Sequence, residues 1–191
     1  MARFDKQRFK PGYTKLVGWG AKDFLHKNSK ELLQIIIDNN IKLDGKVFEL
    51  GAGPGRNLHY IKEHFSSCDI YASDQYRDLK NASELVRKEV KFYEADSLDI
   101  IQEPIKDLQL FISSDHLMHL HYDKADKILK AILMNWKPEY ILLREVKKEY
   151  ETPEHPRLYH KYEQLFTHYD KVFEKTSEQA KEYFIWLLKR K

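Results

Sequence analysis

Between Val47 and Asn57 the chain reads VFELGAGPGRN, with glycines at three alternate positions, Gly51, Gly53 and Gly55, after an apolar run and before a run of helical spacing. Three open positions in a row cost conformational entropy and end any regular element, so the stretch is a tight strand-to-helix turn. It leaves room for backbone to approach a ligand closely. The N–H groups at the start of the following helix favour an anionic or strongly polar group there. The spacing is G-x-G-x-G, which departs from the G-x-G-x-x-G of dinucleotide-binding turns and weakens an NAD or FAD reading.

The turn sits in an alternating chain. Short apolar runs recur at Lys46–Leu50, Asp69–Ser73, Val90–Glu94, Leu108–Ser113 and Tyr140–Glu145, and each reads as a strand buried in a parallel sheet. Between them, residues 55–65, 77–89 and 123–136 carry apolar side chains three and four apart, as on helices lying against a sheet. Residues 21–40 read as one or two helices ahead of the first strand. In the tail, KVFEKTS is strand-like, and EYFIWLLKRK, for its Tyr183, Phe184, Ile185 and Trp186, is read as a final strand. Pro153 and Pro156 predict an exposed, irregular loop after the fifth strand. The expectation is α/β: a Rossmann-like three-layer α/β/α sandwich on a mostly parallel sheet of about seven strands, the last antiparallel. Its single domain, 1–191, divides into a helical cap or lid over 1–45 and a core over 46–191.

Composition excludes several classes. A net charge of +3 with 33% charged residues gives no general polyelectrolyte character of the kind nucleic-acid binding favours. Cys68 stands alone, which rules out an internal disulfide framework and a cysteine-built zinc site. The start shows no secretion-signal pattern, and no stretch approaches the ~20 apolar residues of a membrane span. A cytoplasmic protein without a membrane partner is expected.

FELGAGPGRN is similar to the first motif of class I S-adenosylmethionine-dependent methyltransferases, including the acidic residue two before the first glycine. DIYASDQY resembles that family's second motif, VKFYEADSL the third and DLQLFISSDHLMHL the fourth. The likeness runs from Lys46 to about Leu120, and the five-strand layout extends it to Glu145. A carboxylate at the carboxyl end of the second strand, Asp74, has a physical role in this setting: an acceptor-only group there takes both hydroxyls of a ribose. The resemblance implies S-adenosylmethionine as cofactor, with Asp96 accepting from the adenine amino group, Gln75, Tyr76 and Leu98 around the ring, and Glu49 and Gly51 facing the methionine end. Ala52, Gly53, Gly55, Asn57, Ser97 and Ser113 complete that expected site.

The fourth motif bears on the acceptor. Amino methyltransferases of the family show Asn or Asp followed by two prolines at the position where this chain has Ser113, Ser114, Asp115 and His116, so adenine or glutamine nitrogen is disfavoured. For a hydroxyl acceptor the protein orients the group and removes its proton. His116 and His119, three apart at the expected mouth, are the candidate bases, because imidazole titrates near working pH. Asp115, His116, His119, His121 and Glu145 also resemble the metal set of catechol-type O-methyltransferases, but the acidic pair of that family is absent after the fifth strand, and no metal is expected.

The ends read as substrate apparatus. Tyr13 and Trp19, beside hinges at Gly18 and Gly20, suit a lid. His155 and Arg157 lie in the proline-marked loop on the same rim. A basic stretch from Arg3 to Lys15 favours a phosphorylated acceptor or an RNA backbone, or is a solvated tail. The leading reading is methyl transfer to a small molecule, a hydroxyl of a sugar or other metabolite. The alternatives are an RNA or protein methyltransferase and a non-catalytic S-adenosylmethionine-binding protein.

Overall fold

The structure is a computed structural model that describes residues 27–75, 82–102, 105–147, 150–151, 156–177 and 181–191. Its central sheet has seven strands: β1 (Lys46–Leu50), β2 (Asp69–Asp74), β3 (Val90–Glu94), β4 (Leu108–Ser114), β5 (Tyr140–Val146), β8 (Tyr169–Thr176) and β9 (Tyr183–Arg190). They lie in the order β3-β2-β1-β4-β5-β9-β8, with the first five parallel and β9 and β8 antiparallel. The order reverses between β1 and β4. A crevice outside the carboxyl ends of these two strands is where open sheets of this kind bind ligands.

Alternation along β1 explains the layers. Val47 points to a core shared with α1 (Lys27–Asp38) and α2 (Arg56–His64), where Leu32, Ile36, Leu58 and Ile61 are buried. Phe48 and Leu50 point to the opposite core, against Leu129 of α5 (Tyr122–Ala131), Leu143 and Trp186. Phe48 has no exposed surface and lies 4.8 Å from the Trp136 ring. Burial of a side chain of this size contributes about 2–3 kcal/mol. Trp136 reaches that contact because α5 ends in a widened turn, Ile132–Trp136, closed by Lys137 in the left-handed region at φ 47°.

Two shorter helices, α3 (Glu84–Glu89) and α4 (Ser97–Ile100), start on side-chain caps: Val86 N–H donates to Ser83 Oγ at 3.2 Å, and Leu98 N–H to Asp96 Oδ1 at 2.9 Å. The helix expected over 77–89 starts at Glu84, because Ser83 is extended and caps it; residues 76–81 lie outside the described residues. Among the described residues no helix is long and apolar enough to cross a membrane.

The five expected parallel strands form. β2, β4 and β5 each run one residue further than the apolar pattern, because Asp74 pairs with Glu94, Ser114 with Arg144 and Val146 with Tyr183. The tail strand is β9, buried from Tyr183 to Leu188 between β5 and β8. The loop after β5 corrects the expectation of irregularity. β6 (Tyr150–Glu151) and β7 (Pro156–Arg157) form a two-stranded ribbon, and a short helix α6 (Tyr162–Leu165) follows. Proline is tolerated in a ribbon of two edge strands, where only one side must donate.

Candidate active site

Gly51, Gly53 and Gly55 all have positive φ, at 69°, 53° and 77°, so the loop leaves β1 through three left-handed residues. Among the described residues, two of the missing side chains are explained by neighbouring protein. A Cβ on Gly51 would stand 2.1 Å from His116 Nδ1, and one on Gly55 would stand 2.8 Å from Val86 Cγ1. Among the described residues nothing lies within 4 Å of the Cβ position of Gly53. Gly55, expected to touch cofactor, thus makes room for the helix behind the loop, and Ala52 is buried in the core with Leu58. Gly53 remains as the open floor of the crevice, beside Gly51 under the His116 ring.

The loop is pinned to β2. Gly51 and Ala52 N–H donate to Ser73 O at 2.8 and 3.0 Å, and Gly53 N–H donates to Asp74 Oδ2 at 2.9 Å. Asp74 therefore stands at the loop as well as at the strand end, with Gln75 exposed just past it.

Glu49, on the last turn of pleat in β1, is 2% exposed. Asn57 Nδ2 donates to its Oε1 at 2.5 Å, while Oε2 has no hydrogen-bond partner among the described residues. Burial pushes the carboxyl up to about 8; the Asn57 bond opposes this, and the charges of Asp74 and Asp115 reinforce it. An acid that is mostly protonated at neutral pH but gives up its proton to a nearby positive charge, with one oxygen unsatisfied, fits a cationic partner in the crevice.

Three expected site residues are otherwise engaged. Asp96 caps α4 with Oδ1 and holds Lys124 Nζ with Oδ2 at 2.6 Å. Burial acts to raise its pKa, but the Leu98 amide and Lys124 outweigh it and hold the carboxyl below its ordinary value. The role implied for adenine thus meets a carboxylate whose two oxygens already have partners. Ser113 Oγ donates to Glu145 Oε1 at 2.8 Å instead of facing the crevice. Asp115, left-handed at φ 58°, forms an ion pair with the buried guanidinium of Arg144, which also stacks on Tyr183 at 4.5 Å.

His116 crosses the crevice. Its Nδ1 edge lies over Gly51, and its Nε2 is 2.9 Å from Ser97 Oγ, so the ring spans from the end of β1 to the start of α4. The ring thus lies against the glycine loop and the start of α4; the sequence pattern placed it just past β4 with its side chain toward the acceptor. Desolvation lowers its pKa; Asp74 and Asp96 act the other way, and Lys124 adds to the lowering. His119 ends the single 3₁₀ turn Leu117–His119 and is half-buried. Tyr13, Trp19 and His155 lie outside the described residues, and of Arg157 only the backbone, paired with Tyr150 in β7, is described.

Glu145 is the residue whose place in the site sequence reasoning missed. Glu145 entered only as one member of a metal set, and its isolation between Arg144 and Val146 in an apolar strand was the available signal.

No family model and no curated protein matches this sequence. Solved structures do match. The magnesium protoporphyrin IX methyltransferase ChlM of Synechocystis PCC 6803, crystallised with S-adenosylmethionine, superposes with a TM-score of 0.67 at 12% identity over 98% of this chain and 91% of that one. This chain has the class I methyltransferase fold. A 1,6-didemethyltoxoflavin-N1-methyltransferase of Burkholderia thailandensis, holding its substrate and S-adenosylhomocysteine, gives 0.70 at 15% identity over 96% of this chain and 84% of that one. The mitomycin 7-O-methyltransferase MmcR gives 0.70 at 12% over the whole of this chain and 61% of its own. At these identities the likeness is one of methyltransferase fold, and the crevice at Gly51 and Gly53 lies at that fold's strand reversal.

Proposed function

We propose that this protein transfers a methyl group from S-adenosylmethionine to a small-molecule acceptor, a hydroxyl of a sugar or other metabolite. One observation carries the reading: an open, left-handed Gly53 pinned by Asp74, next to a buried Glu49 with an unsatisfied oxygen, at the strand reversal of a methyltransferase fold. These residues fit the cofactor. Asp74 would take the ribose hydroxyls, the open Gly53 would let the cofactor approach the loop backbone, and Glu49 would accept from its ammonium group.

When bound, S-adenosylmethionine supplies an electrophilic methyl on a sulfonium. The residues of this chain do the rest. Asp74 and the glycine loop orient, and Glu49 loses its proton to meet a positive charge. His116, kept neutral by desolvation, takes the proton that the acceptor hydroxyl must give up.

Calorimetry with S-adenosylhomocysteine and with NAD tests the cofactor: micromolar binding of the first and none of the second is expected, and the reverse overturns the reading. Labelled S-adenosylmethionine with a metabolite extract then finds the acceptor. His116→Ala should lower turnover by roughly 10²- to 10⁴-fold with cofactor affinity nearly unchanged, and His119→Ala should be mild. Loss of activity in His119→Ala alone would transfer the role to that residue.

A further inference from the structure

The turn that carries His116 is held from beneath by a carboxylate to which the proposed reaction gives no part. Glu145 has no exposed surface. It reaches the turn because β5 lies beside β4: Ser113 pairs with Leu143 and Ser114 with Arg144, so the next residue of β5 comes under the chain that has just left β4. Alternation sends Arg144 to Asp115 and Glu145 to the other face, with Leu143.

Four donors converge on it. Ser113 Oγ donates to Oε1 at 2.8 Å, His116 N–H and Leu117 N–H donate to the same oxygen at 3.3 and 3.1 Å, and Met118 N–H donates to Oε2 at 3.2 Å. Three successive amides therefore end on one side chain 27 to 29 positions further along the chain. The carbonyls of the same turn are held from elsewhere, Leu117 O by His160 Nε2 at 2.7 Å and Met118 O by Leu158 N–H at 2.9 Å. A burial that isolates a carboxylate is costly unless its hydrogen bonds are all made. Glu145 is held at both oxygens, and the structure it holds is the one that lays an imidazole across the glycine loop.

We propose that Glu145 is a positioning residue: through the amides of residues 116–118 it fixes the turn that seats the His116 ring between Gly51 and Ser97. The consequence for turnover rests on the methyl-transfer reading, whereas the consequence for the ring does not.

The test is side-chain NMR of the histidines across pH in the full chain, with Glu145→Gln and, as a milder probe, Ser113→Ala. Glutamine keeps the size but replaces one acceptor oxygen by an amide that cannot accept from Met118 N–H. The charged groups around the ring stay in place: Asp74 from β2, Asp96 from the start of α4 and Lys124 from α5. Around the carboxylate stand Asp115 from the loop after β4 and Tyr162 from α6. In the native chain the His116 imidazole titrates below its ordinary value; in Glu145→Gln it should move up toward ~6.5 and lose the shift of a hydrogen-bonded Nε2, while the signals of His59 and His64, on α2 and away from the turn, stay. Ser113→Ala should move it the same way by less. A folded Glu145→Gln chain with an unmoved His116 signal overturns the proposal. If that variant fails to fold, an unmoved signal in Ser113→Ala overturns it. A chain that binds no S-adenosylhomocysteine yet shows the His116 shift keeps Glu145 as positioning residue and loses the methyltransferase reading.

Discussion

Glu49→Gln separates what a residue costs the fold from what it does for a ligand. The carboxyl is pushed from 4.5 to about 8, chiefly by burial. A folded-state value above the unfolded one means that the native state holds a proton the unfolded chain gives up. Stability is therefore fully present below pH 4.5 and is lost as pH rises through about 8. The whole effect is 3.5 units, or about 5 kcal/mol at 1.36 kcal/mol per unit. Between pH 7 and 8 the unfolded side chain is fully ionised while the folded one passes from about one-tenth to one-half ionised. The loss over that interval is about 1 kcal/mol. Glu145, pushed up to about 7, has the same sign but completes most of its loss at lower pH. Glutamine keeps the acceptor for Asn57 Nδ2 and cannot ionise. Urea unfolding at pH 6, 7 and 8 should show the wild type falling away from Glu49→Gln by about 1 kcal/mol in the last interval, while calorimetry shows the variant binding S-adenosylhomocysteine more weakly. Parallel stability curves would mean that Glu49 is ionised in the fold and already has a partner. So would a variant that is several kcal/mol less stable at pH 7.

Asp74→Ala removes the acceptor of Gly53 N–H and the proposed ribose contacts, so S-adenosylhomocysteine affinity should fall by roughly 2–4 kcal/mol in calorimetry with the fold retained; unchanged affinity would remove Asp74 from the site. Gly51→Ala adds left-handed strain of about 1–2 kcal/mol and a Cβ 2.1 Å from His116 Nδ1, so urea unfolding should show a loss beyond the strain alone and the His116 NMR signal should move. Asp115→Ala leaves the guanidinium of Arg144, 3% exposed, without its carboxylate, and should destabilise by about 3 kcal/mol; Asp115→Asn should recover part, and no loss in either would mean that the Tyr183 ring alone suffices. Wild-type cofactor binding near pH 7 should release a proton from Glu49, seen as a binding enthalpy that varies with the ionisation enthalpy of the buffer; a buffer-independent value would contradict the raised pKa.

Apolar periodicity and glycine spacing are local, and they marked the five parallel strands, the glycine turn and the tail strand; the resemblance to the methyltransferase motifs singled out Asp74 and Glu49 at strand ends. These follow from the short range of the forces involved, since a strand buried on both faces must be apolar and a left-handed turn must be glycine. The division of labour among the glycines was not local. Gly55 is open for Val86, 31 residues on, and Gly51 is open for His116, 65 residues on. The partners of Asp96, Ser113 and Asp115 were likewise beyond any sequence pattern, because each carboxylate or hydroxyl takes whichever partner the sheet brings to it: the donors Lys124 and Arg144 for the two carboxylates, and the acceptor Glu145 for the hydroxyl. The resemblance that singled them out for ligand contact carries no information about such competitors. The sequence by itself determined the layered fold and the rim at which the site lies. Only the tertiary structure decided which polar groups at that rim are already satisfied, because a hydrogen bond made across the sheet depends on register between strands far apart in the chain.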